Sequence, residues 1–151
     1  MNRELERWQK LVELAEIEME NAAKTVAYLQ QQLQEGEQQL TTLQSYLADY
    51  TQPRLPSAPM SILRLQTQLQ FGQKVQQAVS AQQEKVEQQQ LMVDKALQAW
   101  QEKRARAKAL EQLRQKKQQA QTQRQNRQEQ KQLDELAAQA VIKAVVKARS
   151  D

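Results

Sequence analysis

Apolar residues recur along the first third of the chain at alternating steps of three and four. The series runs Leu5, Trp8, Val12, Ala15, Met19, Ala22, Val26, Leu29, Leu33, Gly36, Leu40, Leu43, Leu47 and Tyr50, with Gly36 its only member lacking a side chain. Unbroken 3-4 spacing over about six heptads makes one narrow apolar seam on a helix, the mark of a coiled coil. The pattern predicts a helix over about 3–52 that needs a partner helix, because one seam cannot bury itself. Asn2 suits its N-cap. The stretch PRLPSAP at 53–59 holds all three prolines, and proline restricts the residue before it, so a loop is expected over 53–60.

A second helix is expected over about 61–148, capped by Ser57 or Ser61. Its seam reads Ile62, Leu65, Leu69, Gly72, Gln76, Val79, Gln83, Val86, Gln90, Val93, Leu97, Trp100, Arg104, Ala107. Three central glutamines make it the weaker of the two. Folding back about residue 56 pairs residue i with roughly 112 − i. That sets Leu40 opposite Gly72, Leu47 opposite Leu65, Val26 opposite Val86 and Val12 opposite Trp100. Trp8 then meets the stem of Arg104, close to Trp100. Slips of one heptad move the midpoint toward an edge of the loop and rank second. The expected fold is all-α: one long antiparallel two-helix coiled-coil hairpin over 1–151 with a C-terminal helical extension. Gly36 and Gly72 fall at seam positions, where a close helix approach or a mild bend is expected rather than a hinge. Each costs a helix on the order of 1 kcal/mol.

Past about Lys108 the second helix outruns the first. Residues 115–132, QKKQQAQTQRQNRQEQKQ, have only Ala120 to bury; they are either a solvated helix or disordered in isolation. Leu133, Leu136, Ala137, Ala140, Val141, Ala144, Val145 and Ala148 follow as a broad apolar face with nothing in the chain to cover it. That makes the last helix a docking element.

Composition narrows the chemistry. Apolar residues are 39% and aromatic ones 4% of 151, too few for a thick core, and there is no His or Cys. Without these the commonest general base, metal ligand and nucleophile are missing, and no phosphate-binding glycine loop or nucleophile elbow replaces them. Neither an enzyme nor a cofactor is expected. No apolar run approaches the ~20 residues that span a bilayer. The charged start MNRELERWQK is in heptad phase and unlike a signal peptide, so an intracellular helical chain is expected. Residues 1–50 carry four Lys/Arg and nine Asp/Glu, residues 101–151 thirteen and six. The acidic start and basic end attract if the chain folds back, or address two partners. The basic stretch 103–131 lacks interleaved aromatics for base stacking, so a solvated face is favoured over a nucleic-acid site.

Two stripes flank the loop. Gln39, Leu43, Tyr46 and Tyr50 lie at i, i+4, i+7 and i+11, partly off the first seam. Phe71, Val75, Ala78 and Gln82 repeat that spacing, wholly off the Gly72–Val79–Val86 seam. The only Phe and two of the three Tyr gather here, as at a contact surface.

The stretch Val93-Asp94-Lys95-Ala96-Leu97-Gln98-Ala99-Trp100-Gln101-Glu102-Lys103 resembles the FliJ family of flagellar type III export proteins. So do Leu11-Val12-Glu13-Leu14-Ala15-Glu16 followed by Ala22-Ala23, and Asn126-Arg127 with Gln130-Lys131-Gln132-Leu133-Asp134-Glu135-Leu136-Ala137. The resemblance covers nearly the whole chain, in order. It implies a hairpin similar to the central stalk of rotary ATP synthases, non-enzymatic and cytoplasmic, peripheral at the inner membrane face at the flagellar base through its partners. It implies that the open end, with Leu5, Trp8, Leu11, Leu133, Leu136, Ala137, Ala140 and Val141, engages the hexameric export ATPase. It places Gln39, Leu43, Tyr46, Tyr50, Phe71 and Ala78 in a tip cluster that addresses the membrane-embedded export gate; Val75 and Gln82 depart in residue type. Export chaperones are further implied partners, and nucleic acid is not. A generic structural or adaptor coiled coil is the alternative.

Overall fold

A computed structural model describes residues 2–51 and 61–150. They form two helices, α1 (Asn2–Thr51) and α2 (Ile62–Ser150), with no strand among the described residues. The helices pair as an antiparallel coiled-coil hairpin, and α2 continues beyond the start of α1. The loop 53–60, with Ser57, lies outside the described residues, as does the capping side chain of Asn2. Ser61 caps α2: its hydroxyl accepts from the Arg64 amide at 3.3 Å, and its carbonyl accepts from the Arg64 and Leu65 amides at 3.1 Å. These bonds satisfy backbone donors that a helix start leaves without intrahelical partners. Threonines inside the helices return their hydroxyls to the carbonyl four residues back, as at Thr25, Thr41, Thr42 and Thr67.

The chain divides into two compact units: a central unit, Ile17–Arg104, and a terminal unit, Met1–Glu16 with Ala105–Asp151. In the central unit the covered residues of α1 are Met19, Ala22, Val26, Leu29, Leu33, Gly36, Leu40, Leu43 and Leu47, joined by Gln32. This is the predicted seam; its last member, Tyr50, stays 46% exposed. In the terminal unit Leu5, Trp8, Val12 and Ala15 continue it.

The seam of α2 differs from expectation. In the central unit the covered residues are Gly72, Val75, Val79, Gln82, Val86, Gln89, Val93, Ala96, Leu97, Trp100 and Lys103. The column 72-79-86-93-100 is as expected, but its companions are mostly 75, 82 and 89 rather than 76, 83 and 90. The helix is turned toward its other flank. Val75 and Gln82, expected off the seam, are therefore half-buried on it, and Ile62, Leu65 and Leu69 are exposed.

The register differs too. Glu18 bonds Lys103 at 3.2 Å, Gln39 accepts from Gln82 at 3.4 Å, and the rings of Tyr50 and Phe71 lie 4.8 Å apart. All three pairs follow 121 − i, as does Glu4 with Lys117 at 3.8 Å in the terminal unit. The expected 112 − i is nine positions away, a little over one heptad. Leu40 thus stands level with residue 81 and Val26 with 95. Within the terminal unit Trp8 is level with 113, and within the central unit Trp100 is level with 21, so the expected Trp pairing is not made. Trp100 instead falls within one residue of the level of the small seam residue Ala22, and holds the Arg104 guanidinium 5.4 Å from its ring centroid.

Gly36 is buried but makes no close backbone approach. The space where its side chain would be is filled by the end of the Gln89 side chain, while Gln82 donates to the Gly36 carbonyl at 2.9 Å. Gln89 Oε1 is buried without a hydrogen-bond partner. Gly72 has open space where its Cβ would sit. Neither glycine has positive φ, so both are ordinary helical residues.

Candidate partner-binding surfaces

The register settles where the two loop-proximal stripes lie. Under 121 − i, Gln39 is level with Gln82, Leu43 with Ala78, Tyr46 with Val75 and Tyr50 with Phe71. The eight residues singled out from sequence form one four-rung ladder in the central unit, which the expected register would have left staggered. Its end rungs are the direct contacts, Gln39–Gln82 and Tyr50–Phe71, the rings tilted at 38°. Tyr46 is 57% and Phe71 48% exposed, and Gln39 and Ala78 are exposed, while Leu43, Val75 and Gln82 are half-buried beneath them. Aromatic edges held on a covered base suit an apolar partner with polar groups at its margin. A shallow groove lined by Glu35, Gln38, Gln39, Thr42, Leu43 and Gln82 adjoins the ladder.

In the terminal unit α2 stays helical through 115–132, with Gln121 alone partly covered in that stretch. Leu5 and Trp8 are half-buried and Leu11 is 44% exposed. Glu4, Leu5, Lys117, Ala120, Gln121 and Arg124 line a narrow groove at the start of α1. Leu133, Leu136, Ala137, Ala140 and Val141 are all exposed, as are Ile142, Val145 and Val146. This segment lies beyond the first residue of α1 in the observed register, so α1 offers nothing to cover it. The apolar face is wider than the sequence pattern indicated, because Ile142 and Val146 extend it.

One fork of charge stands out in the terminal unit. Arg114 donates through Nε to Glu111 Oε2 at 2.9 Å and through Nη2 to Oε1 at 2.6 Å, and Gln115 adds a bond at 3.4 Å. Hydrogen bonding from Arg114, more than burial opposes it, holds the Glu111 carboxyl below the usual carboxylate range; the same bond raises Arg114. This is a helix brace one turn long, with no cavity that would make it a reactive site.

A family model described as Flagellar FliJ protein matches residues 4–145. The chain belongs to the FliJ family. It is thus a component related to flagellum biogenesis and flagellar protein export. No curated protein matches the chain. The match takes in both the ladder and the exposed face from Leu133 to Val145. No helix of the described residues is long and apolar enough to cross a membrane.

Sequence reasoning found the ladder's members but missed Gln89, whose side chain fills the gap at Gly36, and the exposed pair Tyr28 and Met92, at 62% and 52%. Tyr28, Glu35, Thr42 and Asp49 recur every seven residues; that interval was the available signal for a second contact column.

Proposed function

We propose that the chain is a non-enzymatic, stalk-like coupling component of the flagellar type III export apparatus. It links the hexameric export ATPase ring to the export gate and assists delivery of chaperones and their substrates. The ladder at the loop-proximal end of the central unit addresses the cytoplasmic part of the gate. The exposed C-terminal face, with Leu5, Trp8 and Leu11, engages the ATPase ring. Through these partners the protein works at the inner face of the membrane at the flagellar base.

The observation that supports this reading most is the merging of two separately encoded stripes into one ladder. Four rungs align only because the register is 121 − i, and the result is the chain's densest group of exposed aromatics, Tyr46, Tyr50 and Phe71. Aromatic anchors on a pre-formed helical base bind with little ordering cost. At the other surface, a helix already formed but uncovered gains by burying Leu133, Leu136 and Val141 in a partner groove.

The test separates the two surfaces. Phe71→Ala with Tyr46→Ala should abolish capture by the gate's cytoplasmic part, reduce motility and leave helix content unchanged. Gate capture and motility both at wild-type level would refute the ladder assignment. Removing 133–151 should abolish ring binding while the hairpin stays folded; intact ring binding would refute that half.

A further inference from the structure

The central unit has two broad flanks, one on each side of its seam, and they differ in kind. The flank that carries the ladder is marked by the Gln39–Gln82 bond and by the groove joining Glu35, Thr42 and Leu43 to Gln82. On α1 it continues at heptad spacing through Tyr28, Glu35, Thr42 and Asp49. On α2 the matching positions are Phe71, Ala78, Lys85 and Met92, with Lys74 and Ala81 outside them. In an antiparallel coiled coil, like flanks of the two helices share one face. The opposite flank over this span carries Glu37 and Glu87, with Asp94 just past its edge, and no exposed Tyr, Phe or Met.

Charge on the ladder-bearing face is sorted by helix. Glu35 and Asp49 are on α1; Lys74 and Lys85 are on α2. All four are exposed, and none has an ion-pair partner among the described residues. The register sets each acid near the level of a lysine: Glu35 with 86, beside Lys85, and Asp49 with 72, two residues from Lys74. It likewise sets Tyr28 level with 93, beside Met92.

We infer that this face pairs with a second copy of the chain. The two copies are related by a two-fold axis running along the helices, so that α1 of each lies across α2 of the other at the same level. Glu35 then meets Lys85 of the second copy, Asp49 meets Lys74, and Tyr28 meets Met92, each contact occurring twice as two-fold symmetry requires. The acidic opposite flank repels its own copy, so only one face associates. From Tyr28 to Tyr50 the face runs roughly 33 Å at about 1.5 Å per residue. With helices about 10 Å apart it offers on the order of 600 Å² per copy, below the ~800 Å² of a standard stable interface. The dimer is therefore weak and concentration-dependent. It covers the ladder, so self-association and capture of any partner at the ladder exclude each other.

The experiment is sedimentation equilibrium of the full chain and of two charge-swapped forms. One carries Glu35→Lys and Asp49→Lys, the other Lys74→Glu and Lys85→Glu. Wild type should show a monomer–dimer equilibrium that weakens at least tenfold between low and high salt. Each swapped form alone should be monomeric, because its face carries one sign of charge. Mixed together they should pair at least as tightly as wild type, which also shows that both have folded. A wild-type chain monomeric at every concentration, swapped forms that dimerise alone, or a mixture that fails to pair would overturn the inference. The inference rests on the face's own chemistry and not on the gate reading: a strictly monomeric chain that still captures the gate would sink only the dimer.

Discussion

Replacing Gly36 with alanine tests the polar layer of the seam. Gly36 lies inside a fifty-residue helix and is buried, so convention says that an added methyl should clash. Its only close neighbour would be the far end of the Gln89 side chain, which is flexible. Gln89 Oε1 has no hydrogen bond where it is, and a buried acceptor left unpaired costs about 1–3 kcal/mol. Moving that amide outward returns the oxygen to water, at the loss of some packing. The bond from Gln82 goes to the Gly36 carbonyl, which alanine keeps. What remains is the gain in helix propensity, about 1 kcal/mol. Gly36→Ala should therefore stabilise the protein by about 1 kcal/mol, raising the melting temperature by roughly 3 °C for a chain of this size. Urea and thermal unfolding followed by circular dichroism at 222 nm would measure it. Gly72→Ala, with open space around the new methyl, should give a similar gain, and the two should add. A loss of 1 kcal/mol or more at Gly36 would refute the reasoning, because it would mean that Gln89 cannot leave.

The remaining predictions concern register and pH. Since the chain has no cysteine, cysteine pairs at 39 and 82 should oxidise within single molecules. A pair at 40 and 72, which the 112 − i register would favour, should not; the reverse result in a non-reducing gel would overturn the observed register. Glu111, whose carboxyl is held below its ordinary value by Arg114, contributes stability that is fully present above the unfolded-state value. That contribution is lost as pH falls through the folded one. Glu111→Gln should therefore flatten part of the acid limb of melting temperature against pH; an unchanged acid limb would show that the fork contributes nothing.

How much of this could be read from the sequence depended on contrast. The α1 seam was legible throughout because apolar residues at 3-4 spacing are set among Gln, Glu and Lys. On α2 the column 72-79-86-93-100 was equally clear, but the two flanks beside it offer Gln82 or Gln83, Gln89 or Gln90, Ala96 or Leu97, Lys103 or Arg104. Val75 over Gln76 favours one flank and Leu97 over Ala96 the other, and the remaining pairs barely differ in hydrophobicity, so the local pattern chose no side on which α1 would lie. Register was harder still. A symmetric fold-back about residue 56 supplied the only length constraint, whereas the observed pairing is fixed by Tyr50 on Phe71 and by Gln82 on Gly36. The members of the ladder were visible as equal spacings, i, i+4, i+7 and i+11, on two helices. That they would face each other rung for rung was not, because it followed from the register.

The glutamine layer around Gly36 has a mechanical consequence. Apolar contacts there give way to two amide side chains and an absent methyl, so the zipper is weakest midway along the central unit. Amide protons on the loop-proximal side of that point should exchange with solvent sooner than those between Met19 and Leu33, although both belong to the same two helices. A protein gripping the ladder therefore pulls on a segment that breathes by itself, and tension applied there would be absorbed by local unzipping before it reached the valines at 26 and 93.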